Sequence, residues 1–392
     1  MPSEKKIFGF SKNIFYIGLV SFFTDISSEM IYPLLPVFLT TVLKAPLSFV
    51  GLVEGVAEST ASILKLVTGW ISDKFGKRKA FVALGYIISS VIRPMVAFAT
   101  HPWHVLFVRF ADRVGKGIRT APRDALIADT CSPEEKGKAF GFNRAMDHAG
   151  AVIGPAIATL LLMYVIKDYR TVFALAFIPA ILAMFVVVFL VKEKKSEVVC
   201  AQEPVKLRID IFDKNFKKYL LIIFIFTLGN SSDAFLILRA KDVGIKAAAL
   251  PLLWMLLHIV KMLSSTPGGM LSDKIGRKKV IVAGWIIYFL AYMGFALAKM
   301  PVHAWLLFAF YGFFFGLTES TEKAFVADLA GKEVRGSAYG VYNFAIGAGA
   351  LPASLLMGFL WQKFGVIAAF SFGACMALIA AFLLAVLVKE KI

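Results

Sequence analysis

Residues 109–129, RFADRVGKGIRTAPRDALIAD, hold eight charged side chains in 21 positions: Arg109, Asp112, Arg113, Lys116, Arg119, Arg123, Asp124 and Asp129. On a helix turning ~100° per residue, the first seven fall within a stripe about 140° wide, and only Asp129 leaves it. A solvated loop has no reason to confine its charges to one face. A membrane helix does, because a charge in the bilayer centre is expensive unless it is paired or hydrated and so marks a pathway. The stripe therefore predicts a helix lining a water-filled cavity walled by protein. The competing reading, a helix that ends early and leaves 116–129 as surface, would make the span too short for a bilayer.

Other intramembrane charges could work with that stripe. Asp25 and Glu29 lie four apart and face one way along a helix. Paired, buried carboxylates hold a proton more readily, and a nearby Arg releases it. Such a pair can load and unload a proton, or simply bond to Arg113 or a neighbour. Glu54 and Glu58 repeat the spacing, with Lys65 one further heptad on, and read equally as an ion pair or as function. Arg144 and Asp147 are spaced to pair, with His148 beside them as a packing residue or a proton relay. Asp233, Lys261, Glu319 and Glu322 would line a second half of the cavity, opposite a cationic wall of Arg109, Arg113, Lys116, Arg119 and Arg144.

The elements that position these groups follow from composition. Apolar residues make up 59% of the 392 and charged ones 18%, with a mean hydropathy of +0.75. Repeated apolar runs near 20 residues imply a polytopic helical membrane protein, since helices and closed barrels alone satisfy the backbone in lipid. The ten-residue alternation of a barrel is absent. The first apolar segment, Phe15 to Leu39, is too long for a signal-peptide core and is read as the first span. Twelve spans are predicted: 13–39, 48–71, 79–100, 103–128, 138–165, 171–191, 219–237, 248–271, 279–299, 303–328, 336–361 and 365–388. Residues 192–218 read as a cytoplasmic linker between a bundle at 1–191 and a second at 219–392.

The net charge of +17 reflects the positive-inside rule rather than nucleic-acid binding. With both termini cytoplasmic, inner loops hold 25 of the 43 Lys and Arg. The outer loops hold eight: Lys44, Lys167, Arg170, Arg239, Lys241, Lys246, Lys299 and Lys363. Cys131, Cys200 and Cys375 are expected as free thiols, with no metal site.

The halves repeat. GWISDKFGKRK at 69–79 returns as GMLSDKIGRKK at 269–279, and APRDALIAD at 121–129 as STEKAFVAD at 320–328. Gly137 to Gly141 returns at Gly336 to Gly340, and Ser27-Ser28-Glu29 as Ser231-Ser232-Asp233. Two homologous six-helix bundles are implied.

On these residues the chain resembles the major facilitator superfamily, whose signature loop G-x-L-a-D-x-x-G-R-K is matched by Gly69, Asp73, Gly76 and Arg78, and again by Gly269, Asp273, Gly276 and Arg277. The string DRVGKGIRTAPRDALIAD is similar to a prokaryotic branch with mostly unassigned substrates. The resemblance implies an all-α fold of twelve transmembrane helices in two pseudo-symmetric bundles around a midplane site. Arg113-Val-Gly-Lys-Gly117 resembles the fourth-helix motif R-x-x-q-G of proton-coupled facilitators, in which the Arg is implicated in coupling. Lys116 replaces the usual Gln and Arg119 stands where a small residue is normal, so the wall is more basic than in standard drug exporters. Gly150 to Pro155 partly resembles the antiporter motif of the fifth helix, without its trailing Gly pair. G-x-x-x-G serves close packing equally well.

In the signature loops Asp73 can cap the eleventh span near Gly336-Ser337, and Asp273 the fifth near Gly137. Arg78 can reach Asp129, and Arg277 can reach Asp328. Such latches would hold the cytoplasmic side closed.

The expected function is secondary active transport of a small, anionic or amphipathic solute across the cytoplasmic membrane. Asp25, Glu29 and Arg113 are expected to couple it to protons in the export direction. Uptake of an organic anion by symport is the alternative, and a non-transporting receptor or assembly factor the reading from another class. No enzyme, cofactor or nucleic-acid partner is implied; protons, the solute and the bilayer are the partners, and a monomer is expected. ATP is not the energy source, as no P-loop is present.

Overall fold

The computed structural model describes residues 7–75, 78–130, 136–166, 168–193, 212–330 and 335–390, apart from the side chains at 66, 69, 70, 73–75, 136, 335 and 336. Among these residues the protein is helical, with one isolated β-bridge between Ile7 and Phe10. Ten helices among the described residues are long and apolar enough to cross a membrane. The last, Ser337–Leu387, holds two spans divided at Gly365, whose φ of 87° breaks the helix. The helix Pro102–Thr130 is too charged to count as apolar and completes the twelve.

In chain order these are α1 (Lys12–Val42), α2 (Leu47–Phe75), α3 (Arg78–Phe98), α4 (Pro102–Thr130), α5 (Lys136–Leu160, continued by a π turn Leu161–Val165) and α6 (Tyr169–Leu190). There follow α7 (Lys214–Asp242), α8 (Ala247–Ile275), α9 (Arg277–Leu297), α10 (Pro301–Ala330), α11 (335–364) and α12 (366–387). The predicted spans are recovered, with most ends extended by a turn or less.

Local chemistry sets the ends. Asp168 accepts from Thr171 N at 3.0 Å and starts α6, and Asp213 accepts from Phe216 N at 2.7 Å and starts α7. Pro33 and Pro36 remove amide donors, and α1 finishes as a 3₁₀ turn and a π turn. The span at α7 is discontinuous: Lys214–Gly229 and Ala234–Asp242 are separated by Asn230 to Asp233, with Asp233 beginning the second piece. Arg239, assigned from sequence to an outer loop, is corrected here. It is buried in the last turn of α7, where Nε donates to Phe295 O at 2.9 Å and the guanidinium pairs with Asp242. The helix simply runs one turn longer than its apolar run, because the neighbouring α9 end offers acceptors.

The chain contacts group into two compact units. Residues up to Leu34 and from Thr60 to the end of α6 form one; Leu35–Ser59 and the residues from α7 onward form the other. This division by contact differs from the division by repeat, which runs at the linker. In the second unit a Cβ on Gly55 would lie 2.9 Å from Leu351 Cα, and Ser59 Oγ donates to Gly347 O at 2.6 Å.

In the first unit α1 packs on α5, and α3 on α4. Gly85 and Gly115 let the α3 and α4 backbones meet: a Cβ on either would lie 2.5 or 2.7 Å from the other's carbonyl oxygen. The second unit has an aromatic core. Phe226 stacks on Trp285 at 4.6 Å and Tyr288 on Tyr292 at 4.1 Å, with Tyr311 and Phe314 against them. Large apolar side chains such as Phe107, Leu263 and Phe382 point outward, as a lipid-facing surface requires.

Candidate functional site

The charged face of α4 is divided by its neighbours. Asp112 accepts from Arg93 Nε at 3.1 Å and Nη2 at 2.9 Å, and Arg93 Nη1 donates to Thr24 O at 3.1 Å. Arg119 lies 4.4 Å over the ring of Tyr86 and donates to Ser89 Oγ. Asp112, Gly115 and Arg119 thus form the strip of α4 that meets α3. Arg109 stands 5.4 Å over the Tyr32 ring. Arg109, Asp112, Arg113 and Arg119 are all buried, and Lys116 is half-buried. The expected single face lining a water-filled cavity is corrected in this respect. Periodicity located the stripe, but α3 is close enough to claim part of it. Arg93, inside the third predicted span, was passed over from sequence, since no spacing rule joins it to an acid 19 residues away on another helix.

Asp25 and Glu29 face α5 across its closest approach to α1. A Cβ on Gly150 would lie 2.6 Å from Phe22 O and 2.8 Å from Asp25 Cβ. A Cβ on Gly154 would lie 2.6 Å from Ile26 O and 3.1 Å from Glu29 Cβ. The G-x-x-x-G pattern therefore seats the two carboxylate positions against α5. The charges acting on Asp25 are Asp147, Glu29, Lys116 and Arg119. Arg113 acts on Asp112, its neighbour in the chain. Asp147 is held loosely at 3.9 Å by Arg123 and at 3.9 Å by Arg144, and Asn143 Nδ2 donates to it at 3.4 Å. Ser21 Oγ, donating to Asn143 Oδ1 at 3.2 Å, ties this group back to α1. The arrangement gathers the carboxylates Asp25, Glu29 and Asp147 with Lys116, Arg119 and Arg123, the last of which is paired at 3.0 Å with Asp124.

The second unit gathers a different set at the break in α7. Tyr311 OH donates to Asp233 Oδ1 at 2.9 Å, and Tyr288 OH donates to Gly229 O at 2.9 Å, an acceptor freed by the break. Ser232 Oγ donates to Glu54 Oε2 at 3.4 Å, and Glu54, Glu58 and Lys261 are the charges acting on Asp233. Lys261 Nζ is 2.8 Å from Glu319 Oε2 and 4.4 Å from the centre of the Phe315 ring. Lys323 lies 3.8 Å from Glu319 Oε1. Glu322 accepts from Trp285 Nε1 at 3.0 Å and from Tyr342 OH at 2.8 Å. The tyrosines and Trp285 were missed from sequence. The available signal was the polar tip each carries inside an otherwise apolar run, since buried Tyr and Trp usually find a partner.

In the first signature loop Arg78 pairs with Asp129 and donates to Ala125 O at 3.0 Å. Gly76 and the surroundings of Gly69 and of the Asp73 side chain lie outside the described residues. In the second loop Arg277 pairs with Asp273 at 2.7 Å and with Asp328 at 2.9 Å. Gly276 turns the chain between α8 and α9 at a φ of 100°, a conformation that favours glycine. Gly269 stands within α8, with room beside it for a Cβ 3.8 Å from Ser320 Oγ. Asp273 is largely exposed, and the space around Gly137 is open.

Each loop is also braced from the end of its bundle, by residues that sequence reasoning passed over. Glu193 accepts from Lys79 N at 2.9 Å, and Glu390 accepts from the amides of Arg277 and Lys278. Asn13 exchanges two hydrogen bonds with the backbone of Lys192, at 2.8 and 3.1 Å, and Asn215 does the same with Lys389, at 2.9 and 2.6 Å. The signal was present: Lys-Asn at 12–13 and 214–215, and Val-Lys-Glu-Lys at 191–194 and 388–391. Cys375 is a free, exposed thiol; Cys131 and Cys200 lie outside the described residues. No group of metal ligands occurs among the described residues.

Comparison with known proteins adds four likenesses. The sequence profile of the Major Facilitator Superfamily matches residues 17–255 and 219–391. The chain is 38% identical to the uncharacterized MFS-type transporter MJ1317 of Methanocaldococcus jannaschii over 95% of this chain and 94% of that one. It is 24% identical to the multidrug resistance protein MdtH of Salmonella arizonae, over 85% and 82% of the two chains. The crystal structure of the nucleoside transporter NupG superposes with a TM-score of 0.78 at 16% identity, covering 96% of this chain and 99% of that one.

Proposed function

Because this chain belongs to the Major Facilitator Superfamily and is a membrane-spanning transporter of small solutes, we propose that it exports a small anionic or amphipathic solute across the cytoplasmic membrane in exchange for protons. Its termini face the cytoplasm, and the two bundles at 1–191 and 219–392 alternate in exposing the solute to either side. The observation that carries the proton role is the seating of Asp25 and Glu29 inside a membrane helix, with Asp147, Lys116 and Arg119 as the charges acting on Asp25. Intramembrane acids persist where they do work. Protonation from outside relaxes the hold of these acids on Lys116, and frees it to meet an anionic group. The return step releases the proton inward. Arg113 and Arg109 extend the cationic surface, and the signature-loop pairs at Arg78 and Arg277 hold the cytoplasmic ends until the bundles rock.

Export is supported by the name of the relative MdtH, a multidrug resistance protein. The same cationic residues, Arg109, Arg113 and Lys116, favour the second reading, uptake of an organic anion with protons. The test is purified protein in liposomes that enclose a pH-sensitive dye, with a proton gradient imposed and anionic and cationic metabolites and drugs added singly. Solute-triggered proton movement that disappears in Asp25→Asn and Glu29→Gln, and falls in Arg113→Ala, is the expected result; its sign relative to solute flux gives the direction. A solute that crosses with no proton movement in the wild type refutes the coupling.

A further inference from the structure

We infer that His104 and His303 are a matched pair of acid-released caps, which hold the starts of α4 and α10 while their rings are neutral and let go on taking up a proton. The two turns are built alike. Thr100-His-Pro-Trp-His104 joins α3 to α4, and Lys299-Met-Pro-Val-His303 joins α9 to α10, at the same spacing as the repeat of 121–129 at 320–328. Each helix begins at a proline, whose missing amide donor suits the first helical position. His104 Nδ1 accepts from Thr100 N at 3.3 Å, and His303 Nδ1 accepts from Lys299 N at 3.2 Å. In both turns the amide of the histidine donates to the carbonyl three residues before it, at 3.0 Å. A backbone amide can only donate, so Nδ1 carries a lone pair in each ring. A Glu or Gln plays a similar part at this third helical position in a capping box. Here the acceptor is a side chain that changes charge in the physiological range. Both rings reach water, His104 exposed and His303 half-buried.

A proton taken from water fills the Nδ1 lone pair, leaves the amide of Thr100 or Lys299 without its acceptor, and sets a positive charge at the positive end of a helix. Thr100 Oγ1, 3.4 Å from His104 Nδ1, can accept from the protonated ring, but the amide cannot. The first turn is the more sensitive. There His101 Nδ1 accepts from Trp103 N at 3.4 Å, with its ring 6.3 Å from that of His104, whereas Met300 stands at the equivalent place in the second. The other titratable groups around the first turn are Asp168, Tyr169 and Arg170 at the start of α6. Around the second they are Lys299, Arg239 and Asp242, with Lys241 and Lys246 on either side of Gly244, where a Cβ would lie 3.4 Å from Pro301. Arg170 donates to Ala97 O at 2.8 Å and Arg239 to Phe295 O at 2.9 Å, so a cation holds the end of α3 and of α9. Arginine keeps its charge at every working pH, and the release is therefore confined to the starts of α4 and α10. Each turn lies at the end of its unit opposite the signature loop. That end is the outer side in the orientation proposed above; the sidedness rests on that proposal, and the caps do not.

The test is amide hydrogen exchange of the purified full chain, followed by mass spectrometry on peptides containing Thr100 and Lys299. Protection at about pH 8 and about pH 5, on either side of the imidazole range, is compared after correction for intrinsic rates. At each turn about fivefold less protection is expected at the lower pH, the worth of one helix cap. His303→Gln, and His101→Asn with His104→Gln, keep acceptors that do not titrate, and each should hold its own turn's protection at both pH values. His104→Phe and His303→Phe supply no acceptor and should leave that turn poorly protected at both. Wild-type protection that is the same at the two pH values overturns the inference, as does a pH response that survives in the Gln variants. Phe variants as well protected as the wild type at the higher pH overturn it too.

Discussion

Consider removing one side of the ion pair between α3 and α4. Arg93 and Asp112 are 7% and 4% exposed at their side chains, joined by two hydrogen bonds, with a third from Arg93 to Thr24 O on α1. Asp112→Ala leaves a guanidinium buried without its carboxylate. Breaking a buried pair from one side costs about 3–5 kcal/mol, mostly because the remaining charge is uncompensated. A loss of that size shifts the folded-to-unfolded ratio by more than about a hundredfold, since ~1.4 kcal/mol is a factor of ten. Arg93→Met should cost less than Asp112→Ala, because Asp112 keeps Arg109, Arg113 and Arg119 as the other charges acting on it. The double variant Arg93→Met, Asp112→Leu fills the volume with apolar atoms and should recover most of the loss, as replaced buried pairs often do. The assay is reversible unfolding in mixed detergent micelles, followed by circular dichroism and analysed as a double-mutant cycle. If Asp112→Ala unfolds with the wild type, or the double variant loses the sum of the singles, the pair is not the structural tie described here. A double variant that folds well but no longer transports would assign the pair to the transport cycle instead.

Three further perturbations test the packing and the helix starts. Gly154→Val puts a branched side chain where a Cβ alone would meet Ile26 O at 2.6 Å; it should cost about 1–3 kcal/mol by overpacking and abolish the proposed proton coupling by separating Glu29 from α5. Gly137→Ala, where the space is open, should be neutral or stabilise by about 0.4–1 kcal/mol in the same unfolding assay. Glu193→Ala and Glu390→Ala each remove the acceptor at a helix start and should cost about 1 kcal/mol, adding in the double variant because they lie in separate units. Unchanged melting of the double variant would reject the brace.

Much of the fold was legible because a membrane imposes its rules segment by segment. Each apolar run must satisfy its own backbone in lipid, so length and composition located every span but the fourth. The charged helix α4 was found only through the one-sided placement of its charges, as apolarity alone passes over it. Periodicity has no term for a helix that breaks and resumes. The interruption at Asn230 to Asp233 therefore read as one continuous span, although the acid that stands at it was singled out.

The candidate sites were legible by residue type and not by partner. Asp25, Glu29, Asp233, Lys261, Glu319 and Glu322 were chosen because ionisable groups in a membrane are expensive, and the pairs Arg78 with Asp129 and Arg277 with Asp328 are present as contacts. The partners that decide their chemistry came from elsewhere: Arg93 for Asp112, Trp285 and Tyr342 for Glu322, Tyr311 for Asp233.

The sequence by itself determined the number of spans, the repeat that relates the halves, and which residues pay to be in the membrane. Those properties are summed along the chain, one residue or one segment at a time. Only the tertiary structure decided which of the charges on α4 meet the neighbouring helix α3. That choice depends on crossings set within an ångström by Gly85, Gly115, Gly150 and Gly154. A hydrogen bond forms or fails over the same distance.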